Sequence, residues 1–557
     1  MEYLLTGAEM AECDRRTSEV IGIPSLVLME RAALSVADGV EARLLHSGCR
    51  SDVLAFAGRG NNGADALAAG RILLERGFSV HFLRLPGNVS ADSSFAVQEK
   101  ILSNYGKKVE IFSAEKAGSA EKMPEAGMQA PSVLIDGLFG TGLSRNLEGD
   151  AALAVRYIND LRNRFGTYVV AVDIPSGISS DTGQVMGAAV RCDETRTFAF
   201  FKRGHWMYPG TVYAGRIHLA QIGITPLTRR PGMFTYREEG PALLLPARDP
   251  GGNKGTFGKV LVIAGRRNMC GAALLAAQAC MVTGAGMVKL FTHDANREIV
   301  QQALPEAMLE TWTEDDSPGE LQEKLESCLR WADAAAAGPA MGTDESAKIL
   351  LRALLACAAG PAEEEPCAAR EESRVKTEAS PAARFLPRGL VLDADALRIL
   401  AGSPELRGML AARRPDLPCV LTPHLAEFAA LAQTTVRDCA DNRAAVVQEQ
   451  ADLLRCVIAC KDARTLVVRP CPSPGDQFLY LNTSGNSGMA SAGSGDVLTG
   501  MTAAVLAQGG SDGFDAACAA VHLHGLAGDR ARERHGEQGM TARDLIEALR
   551  EHAFWKS

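Results

Sequence analysis

Short apolar runs alternate with segments of helical period along most of the chain, and this alternation restricts the fold more than any other feature. Five apolar runs in the first half are predicted to be buried strands: residues 53–57, 80–83, 133–136, 168–173 and 196–200. A second series begins with a predicted strand at 259–264, a helix at 272–283 and a strand at 287–292. Strands that alternate with helices form parallel sheets covered by helices on both faces. The sequence therefore predicts two α/β modules.

The chain length and two polar stretches indicate where the modules divide. A chain of 557 residues is too long for a single core. Residues 225–250 are rich in Pro, Arg and Gly, which is typical of a linker. We expect domains at 1–225 and 241–557, joined by a linker at 226–240. Residues 357–384 contain few large apolar side chains and are predicted to be a disordered insertion in the second domain.

Composition narrows the class of protein. A net charge of −9 argues against binding to a nucleic-acid backbone, which needs clustered Lys and Arg. The chain has no apolar stretch of about 20 residues and no basic-then-apolar start, so we expect a cytoplasmic protein without a membrane span. Its 14 cysteines are scattered, with no Cys-x-x-Cys pair. This pattern favours reduced, mostly buried thiols over disulfides or a zinc site.

Residues 484–500 form a small-residue turn that delivers one carboxylate, Asp496, to the opening of a predicted helix. Apolar residues recur at helical spacing after it: Val497, Met501 and Val505. Gly493, Ser494 and Gly495 then supply helix-start amides that favour a bound anion. An acidic residue at such a site suits phosphoryl transfer, where it binds a metal or accepts a proton. We predict that Asp496 is catalytic; the simpler alternative is a helix start capped by Ser494.

Three strands of the first module end in polar turns. The first turn, residues 58–65, is rich in glycine and carries Asn61, Asn62 and Asp65. The other two turns begin at Asp136 and Asp173. Ligands of open α/β sheets bind beyond the carboxyl ends of the strands, so we expect the three turns to converge on one crevice. The alternative for Asp136 and Asp173 taken singly is that each only caps a loop.

Segments 60–65, 136–145, 172–177 and 201–204 resemble the NAD(P)H-hydrate epimerases. This resemblance implies a Rossmann-like, three-layer α/β/α domain that binds potassium and interconverts the R and S forms of NAD(P)H hydrated at nicotinamide C6. It implies that Asn62, Asp136 and Ser176 surround the potassium ion. It also implies contacts to the hydrated dinucleotide from Asn61, Asn62, Gly63, Ala64, Asp65, Gly140, Thr141, Gly142, Leu143, Ser144, Arg145, Asn146 and Asp173. Asp173 is the expected acid/base at the C6 hydroxyl. Ala64 replaces a glycine that is usual in the family, and its methyl group is expected to crowd a close phosphate.

The second module resembles the ADP-dependent NAD(P)H-hydrate dehydratases, which have a ribokinase-like fold. The matching segments are 254–259, 270–273, 283–286, 338–339, 391–397, 422–424 and the turn at 484–500. The resemblance implies contacts to ADP or AMP from Lys461, Asp462, Ala463, Arg464, Thr465, Asn486, Gly493, Ser494 and Gly495. It implies contacts to the hydrated nicotinamide from Ala272, Gly338, His424 and Asp496. The alternative for His424 is a satisfied loop histidine. Alanine again replaces a glycine of the family at Ala340, Ala426 and Ala492.

Together the two resemblances imply an enzyme that repairs both epimers of the hydrated substrates NADHX and NADPHX, with no nucleic-acid partner and as a homo-oligomer. Hydroxide is a poor leaving group, so ADP would phosphorylate the C6 hydroxyl with Asp496 as base. Phosphate would then leave, giving AMP, phosphate and NAD(P)H, with Mg²⁺ bridging the nucleotide phosphates. One alternative is that the second module is an ATP-dependent kinase of a vitamin precursor. Another is a degenerate nucleotide-binding regulator, which the presence of both Asp173 and Asp496 argues against.

Overall fold

A computed structural model describes residues 1–47, 52–113, 130–236, 245, 248–359, 387–471, 477–509 and 511–551. The chain divides into two compact units. The N-terminal unit is Tyr3–Met233, and the C-terminal unit is Phe234–Ser557 together with Met1–Glu2. Each unit is an α/β structure built on a largely parallel sheet, so the expected fold class is confirmed.

The N-terminal unit contains a seven-stranded sheet of order β4-β3-β2-β5-β6-β7-β9, in which every neighbouring pair is parallel. Its strands are β2 (Asp52–Ala57), β3 (Ser79–Arg84), β4 (Val109–Ile111), β5 (Val133–Gly137), β6 (Tyr168–Val172), β7 (Glu194–Phe198) and β9 (Arg216–Ala220). A separate short pair joins β1 (Glu2–Leu5) and β8 (Phe201–Lys202) in parallel.

Helices cover both faces of this sheet. They are Gly7–Arg15, which continues as a π-helix at Arg16–Ile21, Ser25–Ser47, Asn61–Glu75, Ser94–Asn104, Gly149–Phe165 and Gly210–Ala214, with a 3₁₀ turn at Arg203–His205. Successive residues of β2 enter different cores: Ala55 packs in one and Phe56 in the other. Alternation into two cores is what a parallel strand buried on both faces requires. The three-layer arrangement predicted from the sequence follows.

The C-terminal unit has the strand order β13-β12-β11-β14-β15-β16-β17-β18-β19, parallel as far as β17 and antiparallel in the last two pairs. The strands are β11 (Lys259–Ile263), β12 (Met287–His293), β13 (Met308–Trp312), β14 (Ala334–Ala337), β15 (Leu390–Leu392), β16 (Cys419–Leu421), β17 (Val457–Cys460), β18 (Leu466–Val468) and β19 (Leu479–Leu481).

The helices of this unit are Cys270–Val282, Arg297–Ala303, Pro318–Trp331, Glu345–Ala359, Ala394–Gly402, Pro404–Ala411, Leu425–Leu431, Val436–Asp441, Arg443–Leu454, Ser494–Gln508, Gly513–Gly539 and Ala542–Leu549. Short 3₁₀ turns lie at Asp294–Asn296 and Ser487–Met489. The helix predicted after the turn at 484–500 is present, and its Val497, Met501 and Val505 are fully buried.

Part of the predicted linker is ordered structure. Residues Met233–Thr235 form a strand, β10. Phe234 is buried and stacks on Phe478 with ring centroids 4.4 Å apart, and the Tyr236 ring lies 4.9 Å from that of Tyr480. The sequence did not predict this strand, because the surrounding residues are rich in Pro, Arg and Gly, which are typical of a linker. The start of the predicted insertion is also corrected, since residues 357–359 end the helix Glu345–Ala359, and residues 360–384 lie outside the described residues.

The described cysteines are free thiols and most are buried, as expected. Within the described residues, no helix combines the length and the apolar character needed to cross a membrane.

Candidate active sites

The order of strands in the N-terminal sheet reverses between β2 and β5, and a cavity of about 780 Å³ opens beside the turns that follow these strands. This is the switch point at which open α/β sheets bind ligands. Predicted site residues line the cavity: Asn61, Asn62, Asp65, Gly140, Thr141, Gly142, Leu143, Ser144, Arg145 and Asp173. Three predicted contacts do not line it: Gly63, Ala64 and Asn146.

Backbone packing explains why the first turn is rich in glycine. A β-carbon on Gly58 would lie 1.8 Å from the carbonyl oxygen of Leu138, and one on Gly63 would lie 2.2 Å from that of Gly58. The two turns therefore touch through their backbones. Ala64 lies in the first turn of the helix Asn61–Glu75 and is fully buried. Its methyl group therefore packs in the core. The expectation that it crowds the cavity is not met.

Asp136 and Ser176 meet at the buried ends of β5 and β6. The Ser176 amide donates to Asp136 Oδ2 at 2.9 Å, and the Ser176 hydroxyl donates to Asp136 Oδ1 at 2.6 Å. Burial raises the pKa of Asp136 to about 6, against the lowering effect of these hydrogen bonds. No cationic side chain among the described residues pairs with this carboxylate. The amide nitrogen of Asn62, also buried, has no hydrogen-bond partner there.

Asp173 is held at the end of β6 by a basic cluster. Its backbone is left-handed, with φ 66°, a conformation that costs a non-glycine residue on the order of 1–3 kcal/mol. Lys202 Nζ donates to Asp173 Oδ1 at 2.5 Å, and Thr197 donates to the same oxygen at 2.9 Å. Because Lys202 N–H donates to His205 Nδ1 at 3.0 Å, the His205 proton is on Nε2, which donates to the Asp173 carbonyl at 2.8 Å. Burial and the nearby Lys202 ammonium lower the pKa of His205 to about 4, so the imidazole is neutral.

Two functional-site residues were not assigned a role from the sequence. Lys202 lies in the segment 201–204, which carried the family resemblance, but its pairing with Asp173 is visible only in the structure. Asp14 lies on the helix Gly7–Arg15 and also lines the cavity. No motif marks Asp14, since a single acidic residue on an amphipathic helix is usually a solvated one.

The second candidate site lies at the carboxyl ends of β14 to β17. Gly338 has φ 128°, and a β-carbon on it would lie 1.8 Å from the Asp393 carbonyl oxygen, so only glycine fits between these two strand ends. The Lys461 amide donates to the Pro423 carbonyl at 2.7 Å. Gly338, His424 and Lys461 are far apart in sequence. They follow β14, β16 and β17, and all three lie at the carboxyl ends of the same set of parallel strands.

Asp393 ties this edge to the helix Ser494–Gln508. Its carboxylate is 2% exposed and accepts from Lys461 Nζ at 2.7 Å and from Thr499 Oγ1 at 2.6 Å. A β-carbon on Gly495 would lie 3.1 Å from Lys461 Nζ. The predicted residues Lys461 and Gly495 are therefore neighbours. Burial raises the pKa of Asp496 to about 6, with Asp393 and Asp395 raising it further and Lys461 lowering it.

The start of the helix Ser494–Gln508 differs from the simpler alternative in one respect. Gly493, in a left-handed conformation with φ 92°, is the N-cap, and Ser494 is the first helical residue. His524 Nε2 lies 3.0 Å from the Ser494 carbonyl oxygen and 3.3 Å from its hydroxyl, and both residues are buried. Leu275, on the helix that carries Ala272, would lie 2.5 Å from a β-carbon on Gly493. The amide-rich turn is thus held from two sides.

Other predicted nucleotide residues are held by their neighbours. Asp462 pairs with the buried Arg443 at 2.7 Å and also accepts from the Ala463 amide. Arg464 donates to the Thr483 carbonyl, and the Thr465 carbonyl accepts from the Asn482 amide. Asn486 donates to Asp529 at 3.1 Å.

His424 caps the helix Leu425–Leu431 in a reciprocal box with Glu427. Its Nδ1 accepts from the Glu427 amide at 3.2 Å, while the Glu427 carboxylate accepts from the His424 amide at 2.9 Å. This arrangement matches the alternative that His424 is a satisfied loop histidine. The His424 side chain is about half exposed, so its Nε2 atom stays accessible although His424 caps a helix. This atom lies 3.3 Å from Glu427 Oε1.

Comparison with known proteins covers both units. Residues 25–204 match the family described as YjeF-related protein N-terminus. Residues 260–361 and 372–551 match the family described as NAD(P)H-hydrate dehydratase. The interruption of the second match at 362–371 lies within the predicted insertion.

Individual relatives match nearly the whole chain. The bifunctional NAD(P)H-hydrate repair enzyme Nnr of Moorella thermoacetica is 33% identical over 556 residues, which is 98% of this chain and 96% of that protein. The enzyme of the same name from Thermofilum pendens is 34% identical over 555 residues, 97% of this chain and 94% of that protein. Among solved structures, the ADP/ATP-dependent NAD(P)H-hydrate dehydratase of Bacillus subtilis shares 27% identity, with a TM-score of 0.43 and coverage of 56% of this chain and 95% of that one. The chain belongs to the bifunctional NAD(P)H-hydrate repair enzymes, with the epimerase and dehydratase modules that its sequence predicted.

Proposed function

We propose that the N-terminal unit interconverts R- and S-NAD(P)HX at the cavity beside Asp173, and that the C-terminal unit dehydrates the S form while converting ADP to AMP and phosphate. The observation that carries the proposal is that each unit gathers its motif residues at the carboxyl ends of its own parallel strands. In the first unit an ion-paired carboxylate faces a cavity large enough for a dinucleotide. In the second, the Asp496 carboxylate, which makes no ion pair within the described residues, lies in the first turn of a helix with free backbone amides.

The residues near Asp136 fit a potassium ion. The Asp136 carboxylate and the Ser176 hydroxyl are oxygen donors, which hard cations prefer. A buried carboxylate is costly without a compensating charge, and the raised pKa of Asp136 expresses that cost. Asn62 adds a side-chain amide in the same region, where its Oδ1 would lie 3.1 Å from a β-carbon on Gly140. We assign Asn62, Asp136 and Ser176 to the potassium site, where the ion would supply positive charge beside the substrate.

The C-terminal site fits a magnesium-bound adenine nucleotide. Asp393, Asp395 and Asp496 lie close enough for the first two carboxylates to raise the pKa of the third. A divalent cation would relieve this repulsion, and the Gly493–Gly495 turn offers backbone amides to phosphate. Lys461, beside Gly495, adds a positive charge that suits a phosphoryl group. Asp496 itself makes no ion pair within the described residues, which leaves it available as the base at the C6 hydroxyl.

The full sequence coverage by bifunctional relatives favours this function over a vitamin-precursor kinase or an inactive regulator. Homo-oligomerisation and a cytoplasmic location stay predictions from the sequence. The decisive assay supplies purified protein with separated R- and S-NADHX, ADP, magnesium and potassium, and follows the absorbance of reduced nicotinamide. We expect both epimers to be converted to NADH, with AMP formed in equal amount. If ATP is consumed and a phosphorylated alcohol appears without NADH, the function is that of a kinase.

A further inference from the structure

We propose that Asp14 is a second catalytic residue of the N-terminal unit, exchanging a proton with the C6 hydroxyl on the face of the hydrated ring opposite Asp173. The inference rests on the proposed epimerase function. Inversion at C6 removes a hydroxyl from one face of the ring and delivers it to the other. Each of these steps requires a proton transfer, so a group is needed on either face.

An anchored helix carries Asp14 to the cavity. Met10, Asp14 and Ser18 line the cavity at intervals of four residues, which places them on one helical face. A capping box between Thr6 and Glu9 stabilises the N-terminus of the helix Gly7–Arg15. A site residue on a fixed helix is positioned more accurately than one on a loop.

The end of this helix is also tied down. Thr17 Oγ1 donates to the Cys13 carbonyl at 2.7 Å and accepts from the Thr225 amide at 2.8 Å. Cys13, next to Asp14, is fully buried. The segment lies outside residues 25–204, so the family match does not cover it.

Two acidic residues of the cavity wall, Asp65 and Asp14, make no hydrogen bond or ion pair among the described residues, and of these Asp14 lies on the anchored helix Gly7–Arg15. The Asp14 side chain is accessible from the cavity. Asp173, in contrast, is bound by Lys202 and Thr197. The charged groups that line the same cavity are Asp65, Asp173, Lys202, Arg59 and Arg145.

The two carboxyl groups have different electrostatic surroundings. Burial raises the pKa of Asp14 to about 6, the Asp173 carboxylate raises it further, and Lys202 lowers it. Burial raises the pKa of Asp65 well above its usual value, and Asp173 and Asp14 raise it further. Asp14 therefore retains its proton to a higher pH than a free carboxyl group does, whereas Lys202 binds the Asp173 carboxylate directly. Two carboxyl groups in such different surroundings are suited to act as acid and base.

The proposed step balances without another reactant. Asp14 gives its proton to the C6 hydroxyl, which leaves as water while the N1 lone pair forms a C6=N1 iminium bond. Water then adds to the opposite face of C6 and gives a proton to Asp173, and the π electrons of the iminium return to N1. The substrate has inverted and one proton has passed from Asp14 to Asp173. Turnover of the other epimer, or exchange with solvent, restores the pair.

The test compares Asp14→Asn with Glu12→Gln, both in the full chain. Glu12 lies on the same helix but outside the cavity lining, near Arg229. For Asp14→Asn we expect the epimerase kcat to fall by about 10²-fold or more, with little change in KM. The wild-type kcat/KM should fall as pH rises through about 6, because the acid form of Asp14 is lost. This limb should vanish in Asp14→Asn. Thermal unfolding reports whether the N-terminal unit of each variant is folded, dehydratase activity toward S-NADHX reports that the C-terminal unit is intact, and Glu12→Gln should match wild type.

Three results would overturn the inference. One is an Asp14→Asn enzyme with wild-type kcat and pH profile. Another is an Asp14→Glu enzyme as inactive as Asp14→Asn, since a retained carboxyl should restore part of the rate even where asparagine disturbs the helix. The third is inversion in H₂¹⁸O that leaves the C6 oxygen unlabelled at initial rates. If wild type itself does not interconvert the epimers, the proposed epimerase function fails instead.

Discussion

The position of a nearby lysine distinguishes the two aspartates that are predicted to be catalytic, Asp173 and Asp496. In the N-terminal unit, Lys202 pairs directly with the predicted acid/base, Asp173. In the C-terminal unit, the lysine of the site is bound to Asp393, and Asp496 makes no ion pair within the described residues. A carboxylate that must remove a hydroxyl proton benefits from a raised pKa and from being unpaired. Burial raises the pKa of Asp496 to about 6, which suits a residue that must accept this proton.

Asp496→Asn should therefore impair chemistry more than folding. The change keeps the side-chain size and removes the base, so we expect dehydratase kcat to fall by about 10²–10⁴-fold. ADP binding should persist, because the helix-start amides remain and phosphate repulsion is relieved. Epimerase activity, in the other unit, serves as the internal control. NADH formation from S-NADHX and calorimetric ADP titration measure the two effects, and near-normal turnover would reduce Asp496 to a helix-start residue.

The alanines that replace family glycines differ in backbone conformation. Ala340 is left-handed with φ 48°, whereas Ala64 is helical, and both are buried. Glycine at either position removes a buried methyl group and adds unfolded-state entropy, but it relieves strain only at 340. Ala64→Gly should therefore cost about 1–2 kcal/mol more unfolding free energy than Ala340→Gly, which is the cost of the left-handed conformation. Urea denaturation of each variant measures the difference, and equal costs would contradict the strain at Ala340.

At the scale of elements, the sequence predicted strands better than their ends. The strand predicted at 196–200 runs from Glu194 to Phe198, because Ala199 turns the chain with φ 59° into β8. The glycine-rich turns were predictable, since each carries a local signal that backbone contact explains. The role of Asp14 and the strand β10 were not predictable from the sequence. The role of Asp14 depends on Asp173, more than 150 residues away in the chain, and β10 is defined by ring stacking on distant aromatics.

Close packing of two helices beneath the C-terminal site depends on a glycine. Gly500 on the helix Ser494–Gln508 packs directly against the backbone of the helix Cys270–Val282. A β-carbon on Gly500 would lie 2.1 Å from the Ala276 carbonyl oxygen. Gly500→Ala should destabilise the C-terminal unit by about 1–3 kcal/mol through overpacking. Gly408→Ala is the matched control: Gly408 is exposed within the helix Pro404–Ala411 with no atom near the added carbon. It should stabilise by about 0.8–1 kcal/mol. Thermal melts compare them, and equal shifts would contradict the close contact.

At the scale of the whole molecule, each unit holds the residues of its own site. The residues around Asp173 belong to the unit Tyr3–Met233, and those around Asp496 belong to the unit that includes Phe234–Ser557. We therefore expect the hydrated nucleotide released by the proposed epimerase site to reach the proposed dehydratase site by diffusion.

This independence predicts complementation between two full-length variants that each lack one of the two activities. Asp173→Asn should dehydrate S-NADHX but consume R-NADHX only at the spontaneous epimerisation rate, and Asp496→Asn should epimerise without forming NADH. A mixture of the two should convert R-NADHX to NADH, because the S form made by one protein diffuses to the other. The rate should rise with the concentration of either variant until the remaining step limits it. Initial NADH absorbance rates measure this, with each variant alone as control. A mixture no faster than Asp173→Asn alone would mean that the intermediate does not exchange between molecules, and the two sites would then have to act within one chain.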